Sequence, residues 1–376
     1  MFVLAPWRHC YSGEYLEGWQ AHDAGAPYTV YRLELLRPLA LECRSRLQSL
    51  WLFLTSDLPL KLKVLLTTIR IIRREGINLI CIGELNSVSW LGLICQRWLG
   101  IKLINYIHGE EVTIEVGYRN FDQRRRKYLH RTDAMVAVSR FTRNVLIEKM
   151  GVTPDKIELI CNGVDLNRFQ PAPKDTTLLD RYHLQGKRII LTVGRLVERK
   201  GIDMTLRALP RVLARYPDSH YLIIGKGPYQ STLETLTRTL QVEDHVTFAG
   251  SVPNAELAAH YCLCDLFVMP NRELADHDTE GFGLVFLEAN ACGKAVIGGR
   301  AGGAVEAVRD GENGLLVDGM NPDEIAAAII RLFGDDALRQ RLEQQSLAIA
   351  RAAGLERGAR RFQALCQRLL EQGSPA

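Results

Sequence analysis

Short apolar runs alternate with helix-length amphipathic stretches along nearly the whole chain, and no other feature restricts its fold so strongly. Tyr28–Leu33, Asn78–Ile82, Leu103–Ile107, Ala134–Val138 and Ile157–Ile160 form one set of runs. Arg188–Val193, His220–Ile224, Val246–Ala249, Leu266–Met269, Ala295–Ile297 and Leu315–Val317 form a second. Helical patterns lie between them, among them Leu60–Arg74, Arg140–Lys149, Gly201–Arg215 and Ala255–Cys262. Strands that alternate with helices pair in parallel, and the crossover helices then cover both faces of the sheet. The alternation pauses between Asn162 and Arg188, in a polar stretch holding Pro171 and Pro173. It therefore predicts a first domain over 1–168, a linker over 169–187 and a second domain over 188–335, both doubly wound, with a helical tail over 336–376.

Composition narrows the class further. The chain has 376 residues, enough for two separate cores, with 47% hydrophobic and 24% charged residues, which argues against disorder. Apolar runs such as Ser49–Leu54 and Val88–Cys95 are too short for a membrane span, and no signal-peptide pattern follows Met1. Nine scattered cysteines read as reduced thiols of a cytoplasmic protein. Cys262 and Cys264 have no second pair at zinc-ligand spacing and read as core thiols. Residues 1–170 carry 23 Lys and Arg against 17 Asp and Glu, whereas the remainder carries 24 against 26. That asymmetry points to an anionic partner for the first half.

In such sheets ligands bind beyond the carboxyl ends of the strands, so the residues after each strand carry the information. Gly194 and Arg195 follow the run Arg188–Val193, with Lys200 five residues on. Glycine permits close backbone approach, and two cations at the sheet mouth suit a diphosphate. After Leu266–Met269 comes Glu280-Gly281-Phe282-Gly283-Leu284, with an apolar helix expected from about Phe282, and Glu288 lies eight residues after Glu280, a little over two turns. Bare amides at a helix start attract anions, and a carboxylate can take paired sugar hydroxyls. The bland alternative is a basic surface turn, a capping Glu280 and a surface Glu288.

These segments, with Gly299-x-x-Gly302-Gly303 and Glu306, resemble the retaining glycosyltransferases of the family-4, group 1 type. Asn162-Gly163-Val164-Asp165 and the strand ending at Ser139 resemble further segments of that family. The resemblance implies the GT-B fold, two Rossmann-like domains facing a cleft. It implies that Arg195 and Lys200 hold the donor diphosphate, beside Gly194. Glu280 and the backbone of Gly281, Phe282, Gly283 and Leu284 would hold the transferred sugar, Glu288 the ribose, and Val252 would lie against the base. His108 would face the donor sugar, making His108, Glu280, Arg195 and Lys200 the catalytic set. Glu110 or Glu111 could touch the acceptor. The reaction implied is transfer of a mannose- or glucose-type hexose from a UDP- or GDP-sugar to a glycan or lipid-linked hydroxyl, without metal or cofactor.

Relatives begin with a strand, a glycine-rich loop and a helix; here Phe2–Pro6 resembles their second strand, and Tyr11–Glu14 is a poor substitute for the loop. That departure keeps a catalytically impaired binding subunit in play, beside a GT-B sugar-nucleotide epimerase. A dinucleotide dehydrogenase lacks its glycine fingerprint here; Walker and nucleophile-elbow motifs are also absent. Asp276-His277-Asp278 resembles a metal motif but stands in the wrong place in the fold order. A basic cluster, Arg119, Arg124, Arg125, Arg126, Lys127 and Arg131, with Tyr118, Phe121 and Tyr128, suits an anionic membrane surface better than nucleic acid, because no recognition module accompanies it. Trp51, Phe53 and Leu58–Leu66 read either as an accessory interfacial helix or as core.

Overall fold

The computed structural model describes residues 1–8, 15–35, 51–113 and 121–372. Cys10, Tyr11–Glu14, Cys43, Tyr118 and Arg119 lie outside the described residues. Each of the runs read as a strand contains one. The strands are β1 (Phe2–Ala5), β2 (Thr29–Arg32), β3 (Leu79–Ile82), β4 (Lys102–Ile107), β5 (Ala134–Ala137) and β6 (Ile157–Leu159). They continue with β7 (Arg188–Val193), β8 (Ser219–Ile224), β9 (Val246–Gly250), β10 (Leu266–Met269), β11 (Ala295–Gly299) and β12 (Gly314–Val317).

The chain divides into two compact units. One holds Met1–Asn105, Arg131–Ala134 and Leu369–Ala376; the other holds Tyr106–His130 and Met135–Arg368. In the first, β1 pairs with β2 and β3 with β4, all parallel. Its core gathers Val64, Leu65 and Ile72 of helix Leu58–Glu75 with Leu91 and Cys95 of helix Leu85–Leu99.

The second unit is built on a six-stranded parallel sheet in the order β12-β11-β10-β7-β8-β9. The order reverses between β7 and β10, which is the topological switch point of a doubly wound sheet. Alternate side chains pass to opposite faces, as strand geometry requires. Ile189, Leu191, Leu222, Phe267 and Met269 join one cluster, whereas Ile190, Tyr221, Ile223, Leu266 and Val268 join the other. Both faces are therefore dry, which is why these runs read as continuously apolar. In the same unit β5 pairs with β6, and Val138 N–H donates to Ile107 O at the end of β4.

The stretch between the two sets of runs is itself packed. Residues 169–187 carry helix Thr176–Arg181, and Phe169, Leu178 and Leu184 are buried in the core against β7. Helices Asp336–Ala352 and Leu355–Glu371 return to β6 and the segment after it. There Val164 N–H donates to Ala353 O at 3.0 Å, and Arg361 and Arg368 both reach Glu158. Apolar anchors at these positions, more than the prolines, decide where the chain packs.

Candidate active site

Five loops of the second unit meet at the carboxyl ends of β4, β5, β7, β10 and β11. The backbone holds them together. Gly303 N–H donates to Glu280 O at 2.7 Å, and Ser139 Oγ–H donates to Gly281 O at 2.7 Å. Asn271, just after β10, accepts from Gly299 N–H and donates to Ala301 O. A Cβ on Gly281 would stand 2.1 Å from His108 O, so only glycine lets these two loops touch. The helix expected from about Phe282 runs from Leu284 to Ala291, with Gly283 in the left-handed conformation at its N-cap. A side chain at Gly283 would collide with the Phe286 ring.

Within this frame lies a compact set of charges. The Glu280 side chain is 12% exposed, and its Oε2 accepts from Lys200 Nζ at 2.5 Å and Arg199 Nη1 at 3.1 Å. Burial pushes its carboxyl up, but the two cations outweigh burial and hold it below the ordinary carboxylate range. The Arg199 side chain is only 5% exposed; it also pairs with Glu110, and its Nε lies 3.1 Å from Asp278 Oδ1. Burial raises the Asp278 carboxyl despite Arg199. Arg195, with its side chain 59% exposed, stands 3.6 Å from the same Glu110 oxygen. Gly194 borders the cluster too, since a Cβ there would lie 4.0 Å from Lys200 Nζ. Beneath it, Arg272 forms a buried two-pronged pair with Asp203, and its N–H donates to Arg199 O at 2.8 Å. That pair fixes the turn presenting Arg199 and Lys200.

The structure thus brings together Gly194, Arg195, Lys200, Glu280, Gly281, Phe282 and Gly283, and places His108 at the edge. His108 is exposed, its ring 5.3 Å from Tyr106, and its N–H and that of Gly109 donate to the Glu111 carboxylate. Of the two acids left open for the acceptor, Glu111 is occupied by this backbone and Glu110 by Arg199. Lys200 faces Glu280 instead of standing open. Glu288 sits further along its helix, taking a 2.6 Å hydrogen bond from the wholly buried Tyr261 hydroxyl, and burial raises its carboxyl. Val252 is half-buried after β9 and packs on the same core. Leu284 is exposed at the helix start.

Sequence reasoning missed Arg199, Asn271, Arg272, Tyr261 and Asp278 as part of the charge cluster. The Glu306 carboxylate accepts from Arg140 and Phe141 N–H at the start of helix Arg140–Glu148. Asp278 engages Arg199, and His277 Nδ1 lies 2.6 Å from Glu273. Among the described residues, no three His, Cys, Asp or Glu side chains group as metal ligands. The basic cluster needs correction: Arg125 is buried and donates to Glu111 O, and Tyr128 is buried in the core. Helix Phe121–Arg131 therefore shows exposed Arg124, Arg126, Lys127 and Arg131, with no exposed aromatic among its described side chains. Cys262 and Cys264 are buried and donate to Gln170 O and Tyr261 O.

Residues 179–347 match the family described as Glycosyl transferases group 1, and residues 19–168 match Glycosyltransferase Family 4. A GDP-mannose-dependent alpha-(1-6)-phosphatidylinositol monomannoside mannosyltransferase of Mycolicibacterium smegmatis is 37% identical over 271 residues, 71% of this chain and 70% of that protein. The chain belongs to the family 4, group 1 glycosyltransferases. A Mycobacterium tuberculosis protein of the same description is 42% identical over 206 residues, covering 54% of this chain and about half (53%) of that one. Among solved structures, Anabaena HepE in complex with UDP and glucose superposes with a TM-score of 0.77, at 19% identity and 98% coverage of both chains. Sucrose-phosphate synthase from Thermosynechococcus elongatus gives 0.74 at 22% identity, over 99% of this chain and 100% of that chain. The glycosyltransferase has the GT-B fold that these structures share.

Proposed function

We propose that the protein transfers a mannose-type hexose from a nucleotide-diphosphate sugar to a hydroxyl of a lipid-linked acceptor, with retention at the anomeric carbon. The observation that carries this reading is the charge cluster at the switch point, where Arg199 and Lys200 hold Glu280 beside the start of helix Leu284–Ala291 and Arg195 stands 3.6 Å from Glu110, the other acid on Arg199. Negative charge grows on the diphosphate as the glycosidic bond breaks, and fixed cations with helix-start amides stabilise it without reorganising. The sugar in that transition state is oxocarbenium-like, so a carboxylate kept ionised near it is favourable. Glu280 fits that role because Lys200 and Arg199 hold it deprotonated. Glu288 would take the ribose and Val252 the base. His108 would face the transferred sugar.

GDP-mannose is favoured as donor, and a phosphatidylinositol-type lipid as acceptor, by the activities of the relatives at 37% and 42% identity. Neutralisation of the diphosphate falls to the protein's own cations in this reading, and a lipid acceptor would place the protein at the membrane periphery. The test is a panel of nucleotide sugars assayed for nucleotide release, with and without lipid acceptor and with and without chelator. GDP-mannose should turn over only with acceptor and regardless of chelator. Conversion of donor without acceptor would sink transferase activity, and a chelator-sensitive rate would sink metal independence.

A further inference from the structure

The geometry points to helix Leu58–Glu75 as the element that docks this protein on an anionic phospholipid bilayer. The helix has two apolar faces. Val64, Leu65, Thr68 and Ile72 turn inward and are buried. Leu58, Leu62 and Leu66 recur every four residues on another side, and Leu62 and Leu66 are 49% and 60% exposed. Before them, Trp51 at 63% exposure, Phe53 and Leu54 extend the apolar surface through the preceding turns. One face thus explains why a leucine-rich helix forms on this core, and the other is left to solvent, where large apolar side chains gather at a cost unless something covers them.

Charge identifies the cover. Lys63, Arg70, Arg73 and Arg74 are exposed on the same helix, along the border of the leucine stripe and at its carboxyl end. The acids Asp57 and Glu75 are half-buried, and Glu75 accepts from Tyr31 and pairs with Arg74. The outer face is therefore apolar in the middle and cationic at its edge. Leucines enter the acyl boundary, Trp sits at headgroup depth, and long basic side chains reach the phosphates. A bilayer needs no matching groove, which suits a convex stripe on one helix. This assignment replaces the basic helix Phe121–Arg131, which shows no exposed apolar half among its described side chains. It deepens the lipid-acceptor reading, yet it is tested without donor or acceptor, so the two can fail separately.

The experiment is co-sedimentation with vesicles of equimolar phosphatidylglycerol and phosphatidylcholine, against vesicles of phosphatidylcholine alone. The protein should pellet with the anionic vesicles and be released by high salt. Leu62→Ser with Leu66→Ser should cut partitioning at least tenfold, as should Arg70→Glu with Arg73→Glu, while Arg124→Glu with Arg126→Glu leaves it unchanged. Unaltered melting of each variant verifies the fold. Equal binding to both vesicle types would overturn the proposal, and so would undiminished binding by the helix variants or failure of the parent to bind. A dimer in light scattering that Leu62→Ser with Leu66→Ser splits into monomers would also overturn it, by assigning the stripe to a second copy.

Discussion

Glu280 and Glu288 are eight positions apart on one loop and helix, yet their surroundings push their carboxyls in opposite directions. Glu280 lies below its ordinary value in the folded state. Its contribution to stability is complete above the unfolded carboxylate value and disappears as pH falls through the folded one. Glu288 lies above its ordinary value, so holding it ionised costs stability at neutral pH, and that cost fades as pH falls. Glu280→Gln should therefore lower the melting temperature at pH 7 by the equivalent of about 3–5 kcal/mol, because the buried Lys200 ammonium loses its carboxylate and Arg199 loses one of three. The deficit should shrink in acid. Glu288→Gln should leave melting at pH 7 unchanged or raise it, yet weaken nucleotide binding about tenfold, ~1.4 kcal/mol. Scanning calorimetry across pH, paired with titration calorimetry, separates the two. Arg195 gives a third contrast. Its pair with Glu110 is long and exposed, so Arg195→Ala should change stability by less than ~1 kcal/mol. The same change should raise the donor KM about tenfold if that guanidinium meets the diphosphate.

At the scale of elements, the carbonyls of the Glu280–Gly283 loop are fastened from two sides, by Gly303 and by Ser139. Ser139 also caps helix Arg140–Glu148 by accepting from Thr142 N–H. Ser139→Ala should cost about 1–2 kcal/mol in denaturant unfolding, as lost caps do. Gly281→Ala should lower kcat more than stability, since its methyl would force the His108 loop away. Strand existence was legible because both-face burial turns β7, β8, β10 and β11 into unbroken apolar runs. The grouping of Gly194, Lys200 and Glu280 was legible because the segments that follow β7 and β10 combine glycines and charges in a pattern that resembles the family's. Arg199 was not. Beside Lys200 it reads as one more surface cation, and only the fold brings Glu110 and Asp278 to it from 89 and 79 positions away. Tyr261 was invisible for the same reason, as an apolar-looking residue in a helix whose hydroxyl matters only because Glu288 lies above it.

For the molecule as a whole, the switch point of the six-stranded sheet concentrates the chemistry in the second unit, and the first unit carries the exposed stripe of helix Leu58–Glu75. Nucleotide should stabilise the fold by mass action, by about 2.7 kcal/mol at a hundredfold excess over Kd. GDP should then raise the melting temperature of the parent more than that of Arg195→Ala or Glu288→Gln. The structure of the protein crystallised with GDP-mannose bears on all of this at once. The diphosphate should lie against Arg195, Lys200 and the amides of Phe282–Leu284, with the ribose on Glu288 and the mannose between Glu280 and His108. A nucleotide lodged elsewhere, with Glu280 still closed on Lys200 and untouched by sugar, would contradict the whole assignment.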